Sequence, residues 1–203
     1  MSQAMVKKTK KQEHEHANHG TVLPGYLETH VKLAKHRVLF VAEDVSDQMA
    51  TELSALLLYF DNQDDNEDPI ELYINSHGGS VSGLFNIYDV MQMIKTPIRT
   101  ICAGRCSSAA AVMLAAGTKG ERCAFSNSRI MIHGIQCVFP IPGYDITKIK
   151  NYHDFLLEHN ESIMKVLAHH TGQTLERIRE DCKEDVWMSP EQALNYGIID
   201  KII

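Results

Sequence analysis

The sequence lacks the long apolar runs and the excess of basic residues that mark several broad classes of protein. No apolar run approaches the ~20 residues of a membrane-spanning helix, and no apolar segment follows the early lysines as in a secretory signal. Lysine and arginine number 20 against 26 acidic residues, and the net charge of −6 argues against nucleic acid as a partner. These absences predict a protein without membrane segments.

Paired cysteines are also missing. The chain has five cysteines, an odd number, and none of them forms a CxxC motif: Cys102, Cys106, Cys123, Cys137 and Cys182. This pattern is typical of free thiols in a reducing compartment rather than of disulfides or zinc ligands. We therefore expect a cytoplasmic protein without a bound metal.

Large apolar residues are almost absent from residues 1–20, which are predicted to form a flexible N-terminal arm. Three histidines of this arm, His14, His16 and His19, could bind a metal. A solvated polar tail is the preferred interpretation, because no cysteine or ordered scaffold is nearby. A chain of 203 residues buries one sizeable core, so residues 21–203 are predicted to form a single domain.

The remaining sequence alternates short apolar runs with stretches whose apolar residues recur at helical spacing. Strands are predicted at 37–42, 70–74, 98–103, 122–125 and 129–133, and in the last six residues. Helices are predicted after Ser46, after the turn 75–80, at 107–116, at 145–170 and from Ser189 to Gly197. This alternation predicts an α/β fold with a largely parallel sheet.

The helix predicted at 145–170 is longer than the rest of the chain can cover. At 1.5 Å per residue it would reach ~35–40 Å. We expect it to project from the body and to contact another subunit. A loop with two prolines, 134–144, precedes it.

Two turns that follow predicted strands are candidates for chemistry. In "NSHGGS" (75–80), adjacent glycines allow backbone N–H groups to face outward and to receive negative charge. No lysine lies near this turn and the sequence GxxxxGK[ST] is absent, so a phosphate-binding loop is not expected.

The second turn, in "TICAGRCSSAAA" (100–111), places two serines between a strand and a helix of small residues. Ser108 at the start of that helix has two interpretations. It could cap the helix, or it could be a nucleophile with nearby N–H donors, as acyl transfer requires. A serine nucleophile needs a base. His133 is the candidate because it ends a predicted strand, which would present it at the same edge of the sheet as Ser108. The orienting carboxylate could be Asp185, Asp181 or Glu184.

With these features in view, residues 27–203 resemble the proteolytic subunit of the Clp protease, a family of serine peptidases. The segments that carry the resemblance are "LYINSHGGSV", "TICAGRCSSAAAVMLAAGTKGER", "NSRIMIH", "HHTGQTLERI" and "MSPEQALNYGIIDKI", which occur in the family's order. The resemblance implies a Clp/crotonase-like fold with repeated β-β-α and βαβ units. It also implies that the region of about 134–170 is the protruding handle that joins two rings.

Carried over position by position, the resemblance implies a catalytic triad. Ser108 would be the nucleophile, His133 the general base and Asp185 the triad aspartate. The backbone amides of Gly79 and Ala109 would form the oxyanion hole. These residues would cleave peptide bonds by the Ser-His-Asp mechanism.

The resemblance also implies partners. The family forms two stacked heptameric rings, a tetradecamer, and degrades unfolded polypeptides to short peptides with a hexameric AAA+ unfoldase that uses ATP. The subunit itself would bind no ATP and no other cofactor. Tyr73 falls where the family lines its unfoldase-docking groove, although an ordinary half-buried strand tyrosine explains it equally well.

Several departures mark a divergent member. His77 stands where the family usually has proline, and Ala109 where it usually has methionine. The loop after His133 lacks the usual Gln-Pro and contains two prolines, which cannot donate to a strand ladder. One alternative is therefore a poorly active ring partner of another proteolytic subunit. A second is a crotonase-class acyl-CoA enzyme, although its CoA-binding features are not evident.

Overall fold

A computed structural model describes residues 24–63, 68–137, 143 and 145–203. The predicted arm 1–20, with His14, His16 and His19, lies outside the described residues. The predicted loop 134–144 lies only partly within them. The division into an arm and a single domain therefore stays a prediction.

Among the described residues, seven strands form one sheet, with β1-β2-β3-β4-β7 in spatial order, β5 beside β3 and β6 beside β5. The strands are β1 Val38–Val41, β2 Ile70–Ser76, β3 Ile98–Ser107, β4 Arg122–Ala124, β5 Arg129–Ile132, β6 Val186–Met188 and β7 Lys201–Ile202. Every pairing is parallel except that of β5 with β6. The predicted α/β class with a largely parallel sheet is confirmed.

The helices of the described residues are α1 Pro24–Ala34, α2 Asp47–Asp61, α3 Val81–Met93, α4 Ala109–Ala115, α5 Ile146–Thr171, α6 Leu175–Asp181 and α7 Pro190–Tyr196. Ser46 caps α2 by accepting from the Met49 amide. Ser189 and Gln192 form the predicted capping box of α7, and Gly197 ends that helix in the left-handed conformation. The sequence analysis does not predict α1.

The main difference from the sequence prediction is the length of β3. We predicted a strand ending at residue 103 and a helix from 107, but β3 continues through Gly104 to Ser107 and α4 begins at Ala109. Gly104 has φ +114, and the register with β2 shifts between Ile74 and Ser76. A glycine at such a bend lets the strand change partner, because a side chain disfavours positive φ. The first half of β3 pairs with β2 and β4, and the last residues pair with β5.

The long helix is confirmed, and the two parts of α5 differ in burial. Asp145 caps its N-terminus, and Gly172 ends its 26 residues, which correspond to about 39 Å. The buried residues of the helix are all near its C-terminus: Ile163, Met164, Leu167 and Thr171. The earlier part leaves large apolar side chains exposed, among them Ile146, Phe155 and Leu157.

Candidate active site

Ser108 lies in the sharp turn that joins β3 to α4. Its backbone angles are φ 57 and ψ −126, which a residue with a side chain rarely adopts. Its amide donates to the carbonyl of Met131 on β5 (2.9 Å), which ties the turn to the strand that leads to His133. Although Ser108 occupies the cap position of α4, its side chain makes no capping hydrogen bond. The helix-cap interpretation is therefore not supported, and the strained turn presents a hydroxyl that the helix does not use.

The neighbouring serine has a different environment. Ser107 is the last residue of β3 and is buried, and its hydroxyl has no hydrogen-bond partner among the described residues. A buried and unpaired hydroxyl carries an energetic cost. Ser107 cannot exchange roles with Ser108, because it is enclosed within the sheet.

The glycine turn after β2 packs directly against Ser108. A Cβ placed on Gly78, which has φ +98, would lie 2.7 Å from the Ser107 carbonyl oxygen and 2.8 Å from the Ser108 Cβ. On Gly79, a Cβ would lie 2.3 Å from the Val45 carbonyl oxygen. Only glycine fits at both positions, so the turn's backbone approaches Ser108 as closely as the chain allows.

Two backbone amides next to Ser108 are unused. The Val45 amide donates to the Gly78 carbonyl, and the Ser80 amide donates to the Val45 carbonyl (both 2.7 Å), which fixes the turn in place. Within the part of the chain that the structure describes, neither the Gly79 nor the Ala109 amide donates a backbone hydrogen bond in this turn or at the start of α4. Two free donors beside a hydroxyl are the arrangement that an oxyanion requires.

His133 and Asp185 form a pair beside this turn. His133 directly follows β5 and Asp185 directly precedes β6, and because these strands pair antiparallel their ends meet. His133 Nδ1 lies 3.1 Å from Asp185 Oδ1, and the His133 side chain is only 12% exposed. Donation from Nδ1 leaves Nε2 without a proton, which is the form that acts as a base.

The structure places one of the three carboxylates that the sequence left open beside His133. Asp181 ends α6 and accepts from the Tyr196 hydroxyl (2.7 Å). Glu184 lines a neighbouring cavity but not the one that contains Ser108. Of the three, only Asp185 contacts His133 among the described contacts.

The five residues predicted for the site lie together around one cavity of about 350 Å³: Ser108, His133, Asp185, Gly79 and Ala109. Apolar side chains of α3, α4, β5 and α5 complete its walls, among them Leu84, Val112, Met131 and Ile163. A cavity that combines apolar walls with a few convergent polar groups is typical of a substrate site.

Two comparisons with known proteins agree with this geometry. The Clp protease family model matches residues 26–203. The ATP-dependent Clp protease proteolytic subunit 2 of Prochlorococcus marinus (strain NATL2A) is 40% identical over 187 residues, which cover 91% of this chain and 90% of that protein. This chain belongs to the Clp protease family. It is a Clp-type peptidase, its mixed α/β fold is consistent with the Clp/crotonase-like class, and the acyl-CoA alternative finds no support.

The structure adds residues to this Clp-family site that the sequence analysis does not identify. Gln136 Nε2 lies 3.5 Å from Asp185 Oδ1, the oxygen that His133 also contacts. The amide of Ile135 donates to Asn160 Oδ1 on α5 (2.8 Å), and the amide of Gly134 donates to the Cys182 carbonyl (2.8 Å). These contacts hold the segment after His133 against α5 and against the segment between α6 and β6. They join residues far apart in the sequence, so no local pattern reveals them.

Tyr73 lies elsewhere in this Clp-family fold. Its ring stacks on Phe40 (5.3 Å between centroids) and is 6.5 Å from Phe125, and both phenylalanines are exposed. Its hydroxyl donates to Glu71 (3.2 Å). Tyr73 is therefore part of an aromatic row across β1, β2 and the end of β4, and it does not line the cavity.

None of the described helices is long and apolar enough to cross a membrane.

Proposed function

We propose that this chain is a serine endopeptidase, the proteolytic subunit of an ATP-dependent Clp protease that cuts unfolded polypeptides to short peptides. The observation that supports it best is the contact between His133 and Asp185 in the same cavity as Ser108. The free hydroxyl in a strained turn and the two unused amides beside it are consistent with this role.

In this mechanism the Ser108 oxygen attacks the carbonyl carbon of the peptide bond, and its proton passes to His133 Nε2. The amides of Gly79 and Ala109 donate to the oxyanion that forms. His133 then gives its proton to the leaving amine as the C–N bond breaks, which leaves an acyl ester on Ser108. Water, activated by His133, hydrolyses this ester and restores the hydroxyl. Asp185 holds the imidazole in the correct tautomer and stabilises its positive charge.

The proposal includes the assembly that the family resemblance implies. The exposed apolar residues of α5 need cover, which a second ring of subunits would supply. The aromatic row of Phe40, Tyr73 and Phe125 is a candidate docking surface for a hexameric AAA+ unfoldase. ATP would be bound by that partner and not by this subunit. The free cysteines of the described residues are consistent with the cytoplasm.

One observation favours the alternative of a poorly active ring partner. Among the described contacts, the Ser108 hydroxyl makes no hydrogen bond to His133 in the single chain. Catalytic hydrogen bonds often tighten only when substrate binds or a site is fully assembled. Activity of the isolated subunit in homomeric rings is therefore the property to test.

The experiment compares wild-type protein with two serine variants. A neutral fluorophosphonate probe should label wild type, and fluorogenic peptides should be hydrolysed at a native mass near fourteen subunits. Ser108→Ala should abolish labelling and lower hydrolysis by at least about 1,000-fold. The matched control Ser107→Ala should keep both, because the Ser107 hydroxyl is buried and unpaired.

The results distinguish an active protease subunit from a dependent ring partner. Labelling without hydrolysis in a correctly assembled wild type would favour the dependent ring partner. Equal labelling of wild type and Ser108→Ala would contradict the assignment of Ser108 as the nucleophile.

A further inference from the structure

A positively charged cluster at the rim of the cavity has no part in the mechanism above. It consists of His77, Arg105 and Trp187 and is called the rim cluster. The nitrogen Nη1 of Arg105 donates to His77 Nδ1 (2.9 Å). The guanidinium carbon of Arg105 lies 5.4 Å from the centre of the Trp187 ring, within the range of a cation–π contact. The side chain of Arg105 is thus held on two sides.

The rim cluster is built on the same elements as the catalytic residues. His77 precedes the glycine turn, Arg105 lies three residues before Ser108 on β3, and Trp187 lies on β6 two residues after Asp185. His77 itself lines the cavity with Ser108. His77 Nε2 also lies 3.4 Å from Nη1 of Arg105, so the imidazole contacts the guanidinium through both of its nitrogens. His77 therefore places one member of the cluster at the cavity, with Arg105 held against it.

Arg105 has no carboxylate partner among the described residues. The nearby acids are engaged elsewhere. Asp185 is contacted by His133 and Gln136, and the carboxylate of Glu191 accepts from the Ser189 hydroxyl.

A second positive charge lies next to Arg105. In the parallel pairing of β3 with β5, the register partner of Arg105 is Arg129. Residues directly opposite each other in a sheet point to the same face. The Ser189 hydroxyl and, to a smaller degree, the charge of Arg129 lower the pKa of Glu191, so Arg129 already lies near a carboxylate. Arg105, which is stacked on an indole and lacks an acid, is therefore the group that remains available to an anion.

We propose that Arg105, held by His77 and Trp187, is a specificity-determining residue that binds a carboxylate of the peptide substrate beside the catalytic cavity. The carboxylate is either an acidic side chain near the scissile bond or the free C-terminus of the peptide. This proposal rests on the peptidase function proposed above and adds a substrate class to it. The imidazole of His77 orients Arg105.

The experiment measures how well peptides protect Ser108 from the neutral fluorophosphonate, so it does not depend on turnover. One set of peptide pairs differs only by glutamate or glutamine, at three positions on each side of the scissile bond. A second pair differs only by a free or an amidated C-terminus. In wild type, one carboxylate position should protect about 10-fold better than its neutral counterpart. The set that shows the advantage identifies the source of the carboxylate.

The variants test whether Arg105 is responsible. The advantage should fall to about 1-fold in Arg105→Gln, reverse in favour of the neutral counterpart in Arg105→Glu, and remain in the control Arg177→Gln on α6. In wild type alone it should shrink as salt concentration rises, a readout that needs no variant.

Three results would overturn the proposal. If the probe labels wild type but acidic and neutral peptides protect it equally, the proposed subsite is wrong and the nucleophile assignment still holds. Absence of labelling in wild type would remove the serine mechanism and the subsite with it. If Arg105→Gln has a lower native mass and unchanged peptide selectivity, Arg105 instead binds a carboxylate of a neighbouring subunit.

Discussion

The turn around Ser108 and the outer part of α5, residues 146–157, differ in how completely the chain surrounds them. At Ser108 the glycine turn, β5 and the all-buried helix α4 enclose the backbone on several sides. In the outer part of α5, by contrast, Ile146 is 86% exposed and Leu157 is 54% exposed.

This difference shows which region of the molecule a single chain stabilises by its own contacts. Strain at Ser108 persists only because the surrounding contacts over-determine the turn. Apolar side chains in the outer part of α5 gain little from their own chain, and large exposed patches of this kind mark protein–protein contacts. The turn around Ser108 is therefore held by contacts within the subunit, whereas the outer part of α5 is left largely uncovered by its own chain.

The largest effect should come from breaking the turn with Gly78→Ala. The added Cβ would lie 2.7 Å from the Ser107 carbonyl oxygen, so the turn must move away from Ser108. We expect kcat/KM for peptide hydrolysis to fall by at least about 100-fold, because a small misplacement of catalytic groups is costly.

The control for this change is Gly120→Ala. Gly120 has a similar φ of +90, but nothing lies within 4 Å of its Cβ position. It should lose about 1 kcal/mol of stability from backbone strain and keep its activity. Equal activity losses in the two variants would show that positive φ, rather than contact with Ser108, explains Gly78.

A second effect should appear at the buried end of α5, which Arg122 anchors. Arg122 is almost fully buried, donates to the His170 carbonyl (2.8 Å) and pairs with Asp200 (2.7 Å). Burial by itself would raise the pKa of Asp200, but the hydrogen bonds and charge of Arg122, with the Gly120 amide, lower it to about 2. Asp200→Asn should cost about 3 kcal/mol in the free energy of unfolding at neutral pH, because a buried charge loses its partner.

The lowered pKa of Asp200 determines how the stability difference between wild type and Asp200→Asn changes with pH. A lowered pKa in the folded state stabilises the protein above the unfolded value of about 3.9, and that contribution is lost as pH falls toward 2. Denaturant unfolding should therefore show a constant gap between wild type and Asp200→Asn above about pH 5, and a shrinking gap below about pH 4. Asp154→Asn, on the exposed side of α5, should change stability by less than about 0.5 kcal/mol at any of these pH values. A gap that widens in acid would contradict the assignment.

The sequence predicts the catalytic turn better than its surroundings, for a physical reason. An apolar strand, a glycine, two serines and a run of alanines are local features, and they mark Ser108 as either a helix cap or a nucleophile. The family resemblance, rather than this local pattern, favours the nucleophile. His133 can be found in the same way, since it ends an apolar strand. The choice of Asp185 over Asp181 and Glu184 depends on the pairing of β5 with β6, which no local pattern contains.

The features that sequence reasoning misses are those set by register and by distant contacts. The continuation of β3 to Ser107 depends on the shift against β2 and on Asn75, whose side chain accepts from the Arg105 amide (3.2 Å). The contact of Arg105 with His77 joins positions 28 residues apart. Sequence analysis could note that His77 is unusual, but only the fold shows which group it meets.

The smallest effect on stability is expected in the outer part of α5, where the side chains are exposed. Leu157 and Leu167 lie on the same helix, but Leu157 is 54% exposed and Leu167 is 1% exposed. Leu167→Ala should cost about 3 kcal/mol in the unfolding of the dissociated subunit, because it leaves a cavity. Leu157→Ala should cost less than about 0.5 kcal/mol in the same measurement, since the chain buries little of that side chain. If Leu157 instead packs against a second subunit, native mass should show weaker assembly in Leu157→Ala at unchanged subunit stability. Equal stability losses in the two variants would mean that the outer part of α5 packs on its own chain.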